Sequence, residues 1–136
     1  MSDTTTAPAA ADAATQAALE RLNTVIDRLI APDGCPWDST QTPESLTEYV
    51  IEECHELVDA IRSGKTADMV EELGDVAFLI LMIGKLMARA GGPSLADALE
   101  VEAAKMVRRH PHVFSDTTYE NQSEQLKDWD RIKREE

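Results

Sequence analysis

The sequence predicts an all-α fold, a helical bundle, on three observations. Apolar residues recur at spacings of three and four along most of the chain, which is the period of an amphipathic helix. Turn and breaker residues cluster between those stretches rather than inside them,. No stretch alternates apolar and polar residues over a useful length, and nothing repeats at solenoid spacing,.

Beyond the initial Met, residues 1–14 are Ala, Thr, Ser, Asp and Pro, side chains too small and polar to pack, and are expected to form a disordered tail,. The remainder, 15–136, is expected to form a single helical domain, because 136 residues suit one core,. Leu19, Leu22, Ile26 and Leu29 form one helical stripe, which Pro32 and Gly34 end,. The loop APDGCPWDSTQ comes next and contains Trp37. A large aromatic in such a loop commonly caps the core, with a ligand-facing role as the alternative.

Thr42 and Pro43 read as the N-cap and first position of a helix running to about Arg62, closed by Ser63 and Gly64,. The next helix opens near Thr66 or Ala67 and runs to Arg89 or Ala90, where Gly91-Gly92-Pro93 stops it,. Ser94 with Asp97 resembles a capping box for a third, which ends before Pro111 and turns Leu95, Leu99 and Met106 to the core,. Asn121 caps a last helix that passes through Trp129 to the charged end,.

Composition narrows the function. With 26 acidic against 13 basic side chains, a net charge of -13 argues against nucleic acid and against an anionic membrane surface as partners,. A phosphate-bearing substrate needs a metal to mediate. The longest apolar run, Val76 to Ile83, falls far short of the roughly twenty residues that cross a bilayer,. The N-terminus lacks a basic segment followed by an apolar one,. Cys35 and Cys54 are too far apart for a CxxC motif, so a reducing, cytoplasmic setting is expected,.

The informative residues are carboxylates. On the helix after Thr42, Leu46, Tyr49, Val50, Leu57 and Ile61 share one face, and Glu53 falls near its centre,. An unpaired carboxylate persists there only if protonated, paired or bound to a metal. Glu56 lies one turn on and repels Glu53 unless a cation sits between them,. The next helix repeats the pattern with Glu72 and Asp75, immediately before VAFLILMI. That run is apolar all round, so its helix is central or at a subunit interface and carries the acidic pair inward. Four oxygen ligands from two facing helices suit Mg²⁺ or Mn²⁺ rather than zinc. Glu48, Glu52 and Glu71, by their positions alone, read as a solvated face.

Glu52 and His55 have the ExxH spacing of di-iron bundles, but no second ExxH occurs and His55 points away from the apolar face,. Lys105, Arg108, Arg109, His110 and His112 concentrate at the end of the third helix. The helix dipole accounts for one or two cations there, and an anionic ligand accounts better for the set. His110 and His112 flank Pro111 and are expected to be structural. The reading from another class is a non-enzymatic helical oligomerisation or interaction module, in which the apolar 76–83 segment mediates association and the carboxylates only solubilise.

GCPWD-x2-QT at 34–42, EECHELVDAI at 52–61, EELGD at 71–75, KMVRRHPHVF at 105–114 and W-x2-IKREE at 129–136 resemble the MazG family of nucleoside triphosphate pyrophosphohydrolases. The resemblance runs from about Leu19 to the C-terminus. It implies an all-α bundle, assembled as a homodimer or homotetramer whose helices complete one another's cores. It also implies Mg²⁺-dependent hydrolysis of a nucleoside triphosphate to the monophosphate and pyrophosphate. By the same resemblance the metal ligands are Glu53, Glu56, Glu72 and Asp75, and Glu52 activates the water. Lys105 and Arg109 face the triphosphate, and Trp129 lies near the nucleotide. Base recognition is open, with Trp37 and Gln41 as its candidates.

Overall fold

The structure, a computed structural model, describes residues 6–136 and is helical, with no strand among the described residues. The described residues form six α-helices: α1 (Thr6–Ile30), α2 (Thr47–Ser63), α3 (Thr66–Arg89), α4 (Leu95–Arg109), the short α5 (Pro111–Phe114) and α6 (Gln122–Glu135). Two compact units are formed, one reaching Gly92 and the other spanning Pro93–Glu136.

The first helix begins earlier than its apolar stripe. Residues 1–5 of the expected disordered tail lie outside the described residues, whereas the chain from Thr6 onward is helical. Alanine, abundant here, is the strongest intrinsic helix former and needs no packing partner. The side chains of residues 9–20 are accordingly exposed, and burial starts at Leu22 and becomes complete at Ile26. After Ile30 the chain folds back over the helix end, with the Cys35 amide donating to the Leu29 carbonyl at 2.9 Å. This requires a glycine at 34: a Cβ there would lie 2.3 Å from the Arg28 carbonyl oxygen and 2.4 Å from that of Leu29.

Thr42 caps the next segment, as its sequence position predicts. Its hydroxyl accepts from the Ser45 amide at 3.1 Å while the Ser45 hydroxyl accepts from the Thr42 amide at 2.9 Å. The capped segment is a 3-10 turn, Glu44–Leu46, and the α-helix proper starts at Thr47. Gly64 ends α2 in the left-handed conformation, φ 72°, and only Gly64 and Lys65 connect α2 to α3. So short a connection folds α3 back along α2 as a helical hairpin.

The core of this first unit is Ile26, Ile30, Leu46, Ala60, Leu79, Leu81, Met82 and Leu86. The apolar run of α3 supplies much of it, although Ile80 stays 50% exposed. Ile61, at the margin of the α2 stripe, is also exposed. Lys85 joins α3 to α1 through a 2.6 Å ion pair with Asp27.

In the second unit the predicted caps form. The Ser94 amide donates to the Asp97 carboxylate at 2.7 Å, and Asn121 accepts from the Glu124 amide at 3.0 Å. The Ser94 amide and hydroxyl hold the Asp97 carboxyl below its usual range. No side chain of α4, α5 or α6 is fully buried. Leu99, expected in the core, is exposed, together with Val101, Val107, Val113, Phe114 and Leu126. Helical period identifies an apolar stripe but not whether the same chain covers it.

Leu46 is wholly buried. Leu46→Ala is therefore expected to destabilise the fold by about 2–5 kcal/mol, read as a lower urea midpoint at unchanged slope.

Candidate active site

The hairpin register sets the site. Glu56 lies eight residues before Gly64 and Glu72 seven after Lys65, so the two face each other across the α2–α3 seam. Glu53 adds its carboxylate from the preceding turn of α2. One oxygen from each of Glu53, Glu56 and Glu72 lies within 4.8 Å of the others. Glu53 and Glu72 are half-buried, and the Oε2 atom of each is buried with no hydrogen-bond partner.

Asp75 stands at the edge of this group. Its charge acts on both Glu53 and Glu72, but it is exposed, and the cluster within 4.8 Å among the described residues is Glu53, Glu56 and Glu72. Burial is the main force pushing the Glu53 carboxyl above its ordinary range, followed by repulsion from Glu56, Asp75 and Glu52. Glu72 is pushed from its ordinary 4.5 to about 7, again mainly by burial, then by the neighbouring Glu56 and by the charges of Asp75 and Glu53. A seam that resists ionisation in this way fits a divalent cation: it offers hard oxygen donors with unsatisfied lone pairs. Glu52 is exposed on α2, as are Glu48 on the same helix and Glu71 on α3, and the charge of Glu52 is felt at Glu53.

A cavity of about 240 Å³ adjoins the carboxylates, lined by Trp37, Tyr49, Glu53, Asp75, Phe78 and Leu79. Trp37 does not cap the core. It is 46% exposed and meets Tyr49 edge to face, with ring centroids 5.6 Å apart. Tyr49 and Phe78 were not singled out by the sequence as site residues, although each had a signal: Tyr49 lies one helical turn before Glu53 and Phe78 three residues after Asp75,. Gln41 is otherwise engaged, its amide nitrogen donating to the Trp37 carbonyl at 3.0 Å and its amide oxygen accepting from the Ser45 hydroxyl at 2.6 Å.

The remaining predicted residues belong to the second unit. Lys105 pairs with Glu102 at 2.8 Å. Arg109 pairs with Glu136 at 2.8 Å and lies 5.5 Å from the centroid of the Trp129 ring. Arg109 and Arg108 together hold the Glu136 carboxyl below its usual range. His110 packs its edge on Trp129, centroids 4.9 Å apart, and its Nδ1 lies 2.6 Å from the Met106 carbonyl oxygen. His112 packs on Tyr119. Both histidines thus pack on aromatic rings of this unit, and the Nδ1 of His112 is buried without a hydrogen-bond partner.

Residues 41–114, just over half of the chain, match the family model of the MazG nucleotide pyrophosphohydrolase domain. The chain belongs to this family. It is 40% identical over 119 residues to the nucleoside triphosphate pyrophosphohydrolase of Escherichia coli K12, an alignment covering 87% of this chain and 45% of that protein. It is 43% identical over 110 residues to the uncharacterized protein YabN of Bacillus subtilis, covering 81% of this chain and 22% of that one. The chain therefore spans less than half the length of these curated relatives. A crystal structure of a mazG-related protein from Thermotoga maritima superposes with a TM-score of 0.70 at 29% identity, over 85% of this chain and 98% of that one. The matched segment contains all five acidic residues and both cations, while Trp37 and Trp129 lie outside it.

Glu72 yields a pH prediction. A folded-state value near 7 against 4.5 in the unfolded chain means that the folded protein binds this proton more tightly,. Its contribution to stability is full below pH 4.5 and is lost as pH rises through about 7,. Metal-free protein should accordingly melt at a lower temperature at pH 7.5 than at pH 5.5. Mn²⁺ should restore the loss, bind more tightly at pH 8 than at pH 6 and release a proton on binding, which calorimetry in buffers of different ionisation enthalpy measures. Glu72→Gln should flatten this dependence.

Proposed function

We propose that this chain is a Mg²⁺-dependent nucleoside triphosphate pyrophosphohydrolase, with Mn²⁺ as an accepted substitute, that cleaves its substrate to a nucleoside monophosphate and pyrophosphate. The observation that carries the reading is the pair of buried, partnerless Oε2 atoms of Glu53 and Glu72 against Glu56. Family membership and the activity for which the Escherichia coli relative is named support it.

Glu53, Glu56, Glu72 and Asp75 hold the metal. A divalent ion held there would supply charge to neutralise phosphate oxygens and to acidify a water molecule, the two requirements for attack on an anionic phosphoryl group. Glu52, exposed beside Glu53, accepts the proton of the attacking water,. The cavity under Trp37 and Tyr49 receives the base, for which its aromatic wall supplies stacking,. Lys105 and Arg109 neutralise the phosphate chain and the leaving pyrophosphate, exchanging Glu102 and Glu136 for it,. The indole of Trp129, already beside the Arg109 guanidinium, packs near the nucleotide.

Residues 15–136 act as one MazG-like module, in the cytoplasm, as a homodimer or homotetramer. The exposed apolar side chains of α4 to α6, with no buried one among them, support assembly,. No described helix is long and apolar enough to cross a membrane. A purely structural interaction module accounts for the apolar surface but leaves the orphaned carboxylates without a reason.

With Mg²⁺, a panel of canonical and modified triphosphates should release pyrophosphate, and Glu53→Ala should lose both turnover and metal binding. Glu52→Gln should lower kcat by roughly 10²-fold or more, the scale of a general base, while Mn²⁺ affinity stays the same. Full turnover by Glu52→Gln removes that residue from the mechanism, and an inert panel removes the activity.

A further inference from the structure

The geometry points to Arg89 as a positioning residue that sets the Trp37 loop as the wall of the base cavity, by three hydrogen bonds from one guanidinium to the backbones of two segments. This inference rests on the reading that the Trp37 cavity takes the base.

Arg89 is the last residue of α3. Its Nη1 donates to the carbonyl of Ile30, the last residue of α1, at 3.0 Å, and its Nη2 donates to the Ser39 and Gln41 carbonyls at 3.2 and 3.3 Å. These partners lie 48 to 59 residues away in sequence. Terminal carbonyls of a helix have no intrahelical donor, and neither does an irregular loop, so acceptors of both kinds are free to be bridged. Only a planar guanidinium offers several N–H groups in a fixed fork, whereas a lysine presents one compact ammonium.

The loop between these points is held at both ends. On the near side, Gly34 lets the chain fold against the end of α1, and the Cys35 amide bonds the Leu29 carbonyl. On the far side, the turn Asp38–Thr40 and Gln41 hang from Arg89. Trp37 falls between the two anchors. Inside the loop, Thr40 and Gln41 side chains bond the Trp37 carbonyl, so a shift at 39–41 is passed directly to residue 37.

Arg89 itself does not line the cavity. It stands fourteen residues beyond Asp75 on the same helix, about 21 Å along the axis at 1.5 Å per residue, too far to touch the metal ligands,. Its effect should fall on nucleotide affinity and spare the metal and the chemical step.

The test compares wild type with Arg89→Ala, Arg89→Lys and Trp37→Ala. Three measurements serve: amide hydrogen exchange over residues 31–41, Mn²⁺ binding by electron paramagnetic resonance, and kcat and KM for pyrophosphate release from each of ATP, GTP, CTP and UTP. Arg89→Ala should speed exchange over the loop by about tenfold or more, with the amides of α2 unchanged. It should raise KM about tenfold, the scale of one lost stacking wall, with kcat and Mn²⁺ affinity within about twofold of wild type. Arg89→Lys should recover only part of both effects, and it carries the comparison if the alanine variant does not fold.

Unchanged loop exchange overturns the inference, as does a lysine variant equal to wild type. A joint fall of kcat and Mn²⁺ affinity also overturns it, because that reports a distorted α3. If Trp37→Ala raises KM and Arg89→Ala does not, the base cavity stands and the role of Arg89 falls. If Trp37→Ala leaves KM at its wild-type value, the cavity reading itself fails and the inference fails with it.

Discussion

Three carboxylates brought together across the α2–α3 seam repel one another, and that repulsion organises the first unit. Glu53, Glu56 and Glu72 each bring an oxygen within 4.8 Å of the other two, and burial raises the cost of their charge. Burial first, and then the charges of Glu56, Asp75 and Glu53, push the Glu72 carboxyl to about 7, so without a cation this seam favours a bound proton,. Such a site is stable only because something else holds the helices together. The two-residue connection closes the hairpin, and Leu79, Leu81, Met82 and Leu86 anchor α3 in the core immediately beyond Asp75. One helix thus contributes repulsion at its start and cohesion in its middle.

The far end of that helix has a third task. Arg89 ties its own terminus to the end of α1 and to the loop that carries Trp37. Carboxylates, apolar core and loop anchor therefore occur in sequence along the 24 residues of α3. A rigid helix transmits position along its length, so the spacing between charged seam and aromatic wall is set by a single element rather than by a flexible connection.

The second unit is organised differently. Four of its cations are engaged in ion pairs: Lys105 with Glu102, Arg108 and Arg109 with Glu136, Arg131 with Asp128 and Glu135. The more exposed of these pairs contribute little to stability, typically about 0–1 kcal/mol each, whereas both side chains of the Arg109–Glu136 pair are largely covered. A phosphate chain, carrying more charge than a carboxylate, can replace such partners at small cost. With no fully buried side chain in its helices, this unit draws its order from caps, ion pairs and the packing of His110 and Arg109 on Trp129.

The sequence alone determined the helices and most of their ends. The period of the apolar residues, the cap at Thr42, the capping pair Ser94–Asp97, and the breaks at Gly64 and Gly91 are local features, and local interactions decide them,. It also marked Glu53, since a carboxylate inside an apolar stripe is anomalous in one dimension as in three. It misjudged residues 6–14 because it read helix formation through packing, and alanine needs none,. The tertiary structure decided the rest. Whether Asp75 joins the oxygen cluster depends on helix register to within an ångström or two. The aromatic wall of Trp37, Tyr49 and Phe78 is gathered from a loop and two helices. The engagement of Gln41, the exposure of Leu99 and the reach of Arg89 across some fifty residues come from contacts between distant segments, which no spacing along the chain encodes.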